Sequence, residues 1–306
     1  MSSNEFPNRW QRDMFLSRLT TWRIGGPARL LSSPGSVEEL RSDLAAASSQ
    51  NLPVFALGGG SNLLVADKGY DGLIVRLPSG ASNREPHPET GIVDLPAGAS
   101  LAFEARRLSR LGWRGLEWAE GIPGTIAGAI TNNAGAHGGS IAEILEGVDV
   151  CTPDGLEGHW EASRLELSYR HSTLKHNDPT RTFITAGRFR LRKDDPHDLL
   201  QTMASIREHR DKTVPHEPSC GCVFKNPPGQ SAGKLIDQLG LAGHRSGGAI
   251  ISPKHANFFL NTGQATASDI LNLIRITRDR VHKETGLHLE LEVQLLGFPP
   301  CAPESH

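Results

Sequence analysis

The chain has 306 residues, 37% hydrophobic and 22% charged, with 32 basic and 34 acidic side chains and a formal net charge of −2. That length exceeds one ordinary core and predicts two or three lobes, and the even charge balance removes any general electrostatic reason to bind nucleic acid or a membrane surface. No apolar run can span a bilayer, the first twelve residues lack a secretory apolar stretch, and four Cys with 13 scattered His form neither a disulfide framework nor a metal-ligand pattern, so the expectation is a cytoplasmic protein with no metal.

In chain order, residues 16–31 (LSRLTTWRIGGPARLL) read as extended chain broken at Gly25-Gly26-Pro27. Ser36-Val37-Glu38-Glu39 has the form of a capping box, and Val37, Leu40 and Leu44 follow at helical spacing. A short buried strand at 54–57 runs into Gly58, and 73–77 is another. Pro78, Gly80, Pro86, Pro88 and Gly91 mark a loop and a lobe boundary over 78–91. Strands are predicted at 92–96, 145–150 and 182–191. Ser100 caps a helix carrying Leu101, Ala105 and Leu108. Asp195-Pro196 starts a helix in N-cap and N1 order, with Leu199, Met203 and Ile206 as its apolar stripe. A short helix covers Lys234 to Leu239, and strands follow at 249–252 and 257–261. Thr266-Ala267-Ser268-Asp269 opens a long helix with Ile270, Leu273, Ile274, Thr277 and Val281 on one face, ended by Gly286. The alternating tail LHLELEVQLL, 287–296, predicts a strand. Few helices lie between the strands, which suggests an α+β organisation.

Two stretches suit an anionic ligand held by main chain. Gly58-Gly59-Gly60-Ser61-Asn62 follows a strand, and three consecutive glycines permit positive φ and close backbone approach, forming a nest of N–H donors. It lacks the G-x-G-x-x-G and P-loop spacings, and alone it reads equally well as a flexible turn. The second stretch runs from Glu120-Gly121-Ile122-Pro123-Gly124-Thr125-Ile126-Ala127-Gly128-Ala129 to Asn132-Asn133-Ala134-Gly135-Ala136, with small residues at 124, 127, 128 and 129 leaving room for a ligand; a structural turn packing two elements is the alternative. A third polar stretch, Ser219-Cys220-Gly221-Cys222-Val223-Phe224-Lys225-Asn226, continues to Ser231 and Lys234. Lys225, Asn226 and Lys234 suit an anionic, sugar-like substrate, and Cys222 could donate a proton, although a lone Cys is more often a small buried residue.

With these stretches in view, TTWRIGGPA, LGGGSNLLV, EGIPGTIAGAITNNAGAHGG, LSYRHS, GCVFKNPPGQSAGKLI, GGAIIS, HANFFLN and LELEV occur in an order that resembles the UDP-N-acetylenolpyruvoylglucosamine reductase (MurB) family, over nearly the whole chain. The resemblance implies an α+β fold: a two-lobe FAD-binding module of the PCMH (vanillyl-alcohol-oxidase) type at about 16–192, and a C-terminal α+β substrate lobe. The lobes are expected at 1–77, completed by the strand 287–298, at 78–193 and at 194–286. The short run from Tyr169-Arg170-His171-Ser172 to 182–191 resembles the family's shorter type.

The family's reaction uses NADPH to reduce FAD and passes the hydride to the enolpyruvyl ether of UDP-N-acetyl-enolpyruvoylglucosamine, giving UDP-N-acetylmuramate. By motif, Leu57, Gly58, Gly59, Gly60, Ser61, Asn62, Leu63, Gly121, Ile122, Pro123, Gly124, Thr125, Gly128, Ala129, Asn133, Ala134 and Gly135 are expected to hold FAD. Arg170 matches the arginine on the substrate carboxylate, Glu292 the glutamate near the enol, and Cys222 the proton donor; without the resemblance, Glu292 would read as an outward-facing strand residue. Tyr169, Lys212, Lys225, Asn226 and Ser231 are expected substrate contacts. Cys222 replaces the commoner Ser, and an ordinary thiol titrating near about 8.5 still carries its proton at neutral pH. Ala127 stands where Gly is common in the second loop, and Leu291 replaces a frequent Pro. An FAD oxidase on the same module and a non-enzymatic flavin or UDP-sugar sensor are the competing readings. The residues around Cys222 argue against the first, and Arg170, Cys222 and Glu292 together against the second.

Overall fold

The computed structural model describes residues 6–77, 82–152, 157–176 and 182–299. Pro78 and Gly80 of the expected boundary loop, and Cys301, lie outside them.

The chain forms two compact units. One comprises the residues up to Arg12, Leu30–Gly59 and Gly72–Arg210; the other comprises Asp13–Arg29, Gly60–Asp71 and the residues from Asp211 on. Helix and strand are mixed throughout, as an α+β reading requires.

In the first unit, a four-stranded sheet has the order Glu157–Glu161, Leu145–Cys151, Phe183–Arg190, Ile92–Pro96, with every pairing antiparallel. Ser100 caps the helix Leu101–Arg110 by accepting from the Phe103 N–H at 3.4 Å. Leu101, Ala105 and Leu108 from that helix and Ile126, Ala129 and Ile130 from the next meet Val93, Leu95, Val148 and Phe189 of the sheet in one buried cluster. A second cluster joins Leu40 and Leu44 of the helix Val37–Ser49 to Leu30, Val54, Leu73 and Val75, where Val54–Ala56 runs parallel to the end of Tyr70–Val75.

Ser36 does cap Val37–Ser49, accepting from the Glu39 N–H at 3.2 Å. The reciprocal half of the expected capping box is not made. Glu39 Oε2 accepts instead from the Gly35 N–H at 2.7 Å, because the turn before the cap presents that donor to the carboxylate.

The second cluster is fixed to the chain's start by a buried carboxylate. Asp43 is fully buried and accepts from Trp10 Nε1 at 2.7 Å, from Ser32 Oγ and from Arg9 Nη2. Removing the carboxylate strands the buried Trp10 and Ser32 donors at about 1–3 kcal/mol each, so Asp43→Ala is expected to cost about 3–5 kcal/mol. Urea unfolding checks this; a loss within 1 kcal/mol, roughly the worth of an exposed pair, would contradict it.

The second unit is built on the helix Ala267–Thr285, whose predicted stripe of Ile270, Leu273, Ile274, Thr277 and Val281 is buried. Thr266 and Asp269 complete a capping box, and Gly286 at φ 72° ends the helix in the left-handed conformation that glycine tolerates. A three-stranded sheet has the order Arg245–Ser246, Ala249–Ile251, Phe259–Asn261. Trp22 is fully buried among these elements; its Nε1 donates to Phe259 O at 2.6 Å and its carbonyl accepts from Asn261 Nδ2 at 2.9 Å.

Two extended predictions are corrected. Residues 16–31 are not continuous extended chain: a 3-10 turn occupies Leu16–Arg18 and the strand begins only at Pro27. Between them Thr20 Oγ1 donates to Ile24 O at 2.8 Å, and Gly25 at φ 134° turns the chain. In the tail, only Gln294–Leu296 is a strand. The chain changes partners there. Leu291 bridges to Phe224 antiparallel, whereas Gln294–Leu296 pairs parallel with Leu63–Val65, and the switch bends Glu292 and Val293. Leu289 and Val293 are buried all the same, so the alternation satisfies burial without a continuous ladder.

Candidate active site

In the first unit the two glycine-rich loops meet main chain to main chain. A Cβ on Gly58 would lie 2.6 Å from Thr125 Oγ1, and one on Gly59 would lie 2.9 Å from Gly124 Cα. Gly58, Gly59 and Gly124 are therefore small because loop packs against loop there. Leu101 N donates to Gly124 O at 3.1 Å, and Ile126 N and Ala127 N donate to Ala99 O and Ala97 O at 2.9 Å each, so the second loop is stitched to the end of a strand. The main-chain N–H groups of Gly58, Gly59, Gly124 and Thr125 donate to none of the described residues. Four such donors on half-buried or buried backbone match what a flavin diphosphate needs, oxygens accepting from fixed N–H dipoles. Gly58, Gly59, Gly124 and Thr125 fit FAD on that ground.

The second loop opens beside an ion cluster. Glu120 has a side chain 1% exposed and receives Arg106 Nε at 2.8 Å and Nη2 at 2.7 Å, together with Arg207 Nε at 3.0 Å and Nη2 at 2.8 Å. Arg210 Nη2 donates to Gly121 O at 2.9 Å. Burial alone would raise the Glu120 pKa; the hydrogen bonds from Arg106 and Arg207, and their charges, outweigh it and hold the carboxyl below its usual range. A depressed folded-state value stabilises the fold above the ordinary glutamate range, near about 4.3, and that stability is lost as pH falls through the depressed value. Urea unfolding at stepped pH is therefore expected to show wild type ahead of Glu120→Gln at neutral pH, with the gap closing in acid. A gap independent of pH would contradict the assignment.

The second loop also carries the turn of Arg170. Ser168 and His171 exchange backbone hydrogen bonds at 3.2 and 3.1 Å, leaving Tyr169 and Arg170 at the tip, with Arg170 at φ 54°. Asn133 Nδ2 donates to Ser168 O at 2.8 Å while its Oδ1 accepts from Ala142 N at 3.0 Å, and Ser172 Oγ donates to Thr131 O at 2.6 Å. Asn133, expected as a flavin contact, thus ties the second loop to the turn. A non-glycine residue held at positive φ by such over-determination is the kind of strain that marks functional positions. Tyr169 is 57% exposed beside it.

In the second unit, the remainder of the first loop is joined to the segments of Cys222 and Glu292. Gly60, at φ 61°, leaves no space for a Cβ against Leu19 O. Its carbonyl accepts from Thr21 N at 3.1 Å and lies 3.8 Å from Cys220 Sγ. Cys220 Sγ also donates to Leu63 O at 3.4 Å, and burial pushes its thiol up to about 11, so it is inert as a nucleophile and serves the loop as a donor. Asn62 Nδ2 donates to Glu292 O at 3.1 Å, and Gln294 N donates to Asn62 O at 3.0 Å. Glu292 N in turn donates to Val223 O at 2.8 Å, and Lys225 N donates to Glu290 O at 2.9 Å. One backbone ladder therefore runs from the loop through Glu292 to the residue after Cys222. Cys222 is half-buried and bridges Phe258 on its other side.

The expected substrate contacts have structural partners as well. Lys225 Nζ pairs with Glu290 Oε2 at 2.9 Å, Asn226 Oδ1 accepts from Ala232 N at 3.0 Å, and Ser231 caps the helix Ala232–Gln238. Lys212 is exposed in the last turn of Pro196–Thr213.

Known proteins bear on this arrangement. A profile for an FAD binding domain matches residues 28–157, and a profile for the C-terminal domain of UDP-N-acetylenolpyruvoylglucosamine reductase matches residues 213–296. A Chloroflexus aggregans protein named UDP-N-acetylenolpyruvoylglucosamine reductase is 43% identical over 92% of this chain and 95% of its own. A Prochlorococcus marinus protein of the same name is 44% identical over 94% and 93%. The chain belongs to this reductase family. The crystal structure of the Thermus caldophilus family member is similar at a TM-score of 0.78 and 38% identity, covering 94% of this chain and 99% of that one. Glu120 belongs to the second stretch read from the sequence, but its partners Arg106 and Arg207, and Arg210 on Gly121, are residues that sequence reading missed. Glu120 lies directly before EGIPGT's first glycine, but its partners are 14 and 87 residues away, and no local pattern announces them. Among the described residues no cluster of His, Cys, Asp and Glu could hold a metal ion, and no helix is long and apolar enough to cross a membrane.

Proposed function

We propose that this chain catalyses the NADPH-dependent reduction of UDP-N-acetyl-enolpyruvoylglucosamine to UDP-N-acetylmuramate in the cytoplasm, with FAD held by the two glycine-rich loops. The observation that supports it most is the ladder linking the first loop, Glu292 and the segment of Cys222, in a chain of this reductase family. Held by Gly58, Gly59, Gly124 and Thr125, FAD would supply the hydride transfer between NADPH and the vinyl carbon of the enolpyruvyl ether.

The protein's part is binding, charge and proton delivery. Arg170 binds the substrate carboxylate, because a guanidinium stays charged and bonds a carboxylate bidentately. That charge also stabilises the enolate-like character that develops when the hydride adds, which is the expected major electrostatic contribution. The Cys222 thiol gives its proton to the carbon next to the one that received the hydride. A hydride plus a proton saturate the C=C bond, and the thiolate left behind recovers its proton from solvent. Glu292 stands beside the reacting enol, and Tyr169, Lys212, Lys225, Asn226 and Ser231 contact the nucleotide sugar.

Steady-state assay of the flavin-loaded protein tests this reading. NADPH oxidation is expected only when the enolpyruvyl substrate is present, with UDP-N-acetylmuramate formed in equal amount. NADPH oxidation that proceeds to oxygen and ignores the substrate would favour an oxidase.

A further inference from the structure

We propose that Glu120 is a positioning residue for the flavin: by gripping Arg106 and Arg207, and with Arg210 closing on Gly121, it sets the entry of the second glycine-rich loop. The inference rests on the proposed FAD site. Glu120 immediately precedes the loop, is fully buried, and receives two guanidinium forks from the helices Leu101–Arg110 and Pro196–Thr213. Independently, Gly121 sits at φ 72° with its missing Cβ facing Arg210 Nε at 2.9 Å, and its carbonyl accepts from the same guanidinium. Arg207 and Arg210 stand one helical turn apart, so one helix face holds both the carboxylate and the next carbonyl. The backbone direction at Gly121 is thereby over-determined just before Gly124 and Thr125 offer their N–H groups. With Arg210 the cluster holds three guanidiniums and one carboxylate, so it keeps a net positive charge at the mouth of an anion-binding loop.

Glu120→Gln separates the possible roles, because it removes the clamp and adds net positive charge together. A purely electrostatic role predicts tighter FAD binding. A purely structural role lowers the melting temperature of the apoprotein and leaves the affinity of the folded fraction unchanged. Positioning predicts weaker binding. The measurement is FAD titration of the deflavinated full-length protein by flavin fluorescence, far below its melting temperature, with apoprotein melting followed by circular dichroism. Glu120→Gln is expected to raise the FAD dissociation constant about tenfold or more, the scale on which outer partners of a ligand-holding group act. Arg207→Lys keeps the charge, loses the fork and lies on a half-exposed side chain; it is expected to weaken FAD binding in the same direction while the protein stays folded, and decides the matter if Glu120→Gln does not fold. Unchanged or tighter binding in the folded variants overturns the proposal. Failure of the wild-type apoprotein to bind FAD is a different result, and sinks the proposed function itself.

Discussion

Cys222→Ala is expected to reduce its flavin with NADPH at the wild-type rate and to lose about 10²–10⁴-fold in the rate at which the enolpyruvyl substrate reoxidises it, the usual worth of a positioned general acid. The asymmetry follows from where the residue stands. Cys222 is half-buried on a segment fixed on both sides, bridged to Phe258 and followed by Val223, whose carbonyl takes the Glu292 N–H at 2.8 Å. Losing the side chain leaves that backbone in place, so binding of NADPH and flavin persists. Cys222→Ser keeps an O–H donor in the same position and is expected to retain activity within about tenfold of wild type, since proton donation by either group is the same chemistry at different acidity. Stopped-flow absorbance of each half-reaction measures both. Normal turnover by Cys222→Ala would remove Cys222 from the mechanism. Cys220, two residues earlier, provides the contrast: it is buried, with its thiol pushed up to about 11 and aimed at the carbonyls of Gly60 and Leu63.

Gly59→Ala is expected to damage the proposed cofactor site through a single methyl group. Its Cβ would lie 2.9 Å from Gly124 Cα, a main-chain atom that can yield only if the two loops separate. Overpacking of this kind costs about 1–3 kcal/mol, and because the strained atoms are those proposed to hold FAD, the cost should appear as about 5–150-fold weaker flavin binding. By contrast, Gly128→Ala would place its Cβ 3.4 Å from Thr125 Oγ1, a looser contact that a side-chain hydroxyl can relieve. FAD titration of the two deflavinated variants gives the comparison. Equal affinity in both would mean that the loops do not meet where Gly59 and Gly124 place them.

The glycine loops, the caps at Ser100 and Thr266, and the buried stripe of Ala267–Thr285 are all visible in the amino-acid order, because each depends on residues within a few positions of one another. The ion cluster at Glu120 is not, because Arg106 and Arg207 reach it across 14 and 87 positions. Asn133 and Asn62 look alike in sequence, polar residues within glycine-rich loops. In the fold each is a tie, Asn133 to the turn of Arg170 and Asn62 to the segment of Glu292. Alternation at 287–296 predicts burial correctly for Leu289 and Val293 and predicts a strand too long, since a period of two records which side faces the core and carries no information about a change of partner. The two-unit division, with Asp13–Arg29 and Gly60–Asp71 grouped with the C-terminal residues, is set by contacts far apart in the chain and has no local signature.

In the proposed reaction one flavin site joins NADPH oxidation to reduction of the enolpyruvyl ether. Anaerobic stopped-flow on the wild-type protein addresses it most directly. NADPH should bleach the visible flavin absorbance, and UDP-N-acetyl-enolpyruvoylglucosamine, added next, should restore it with one UDP-N-acetylmuramate formed per flavin. A flavin that NADPH leaves oxidised, or a reduced flavin that stays bleached when the substrate is added, would contradict it.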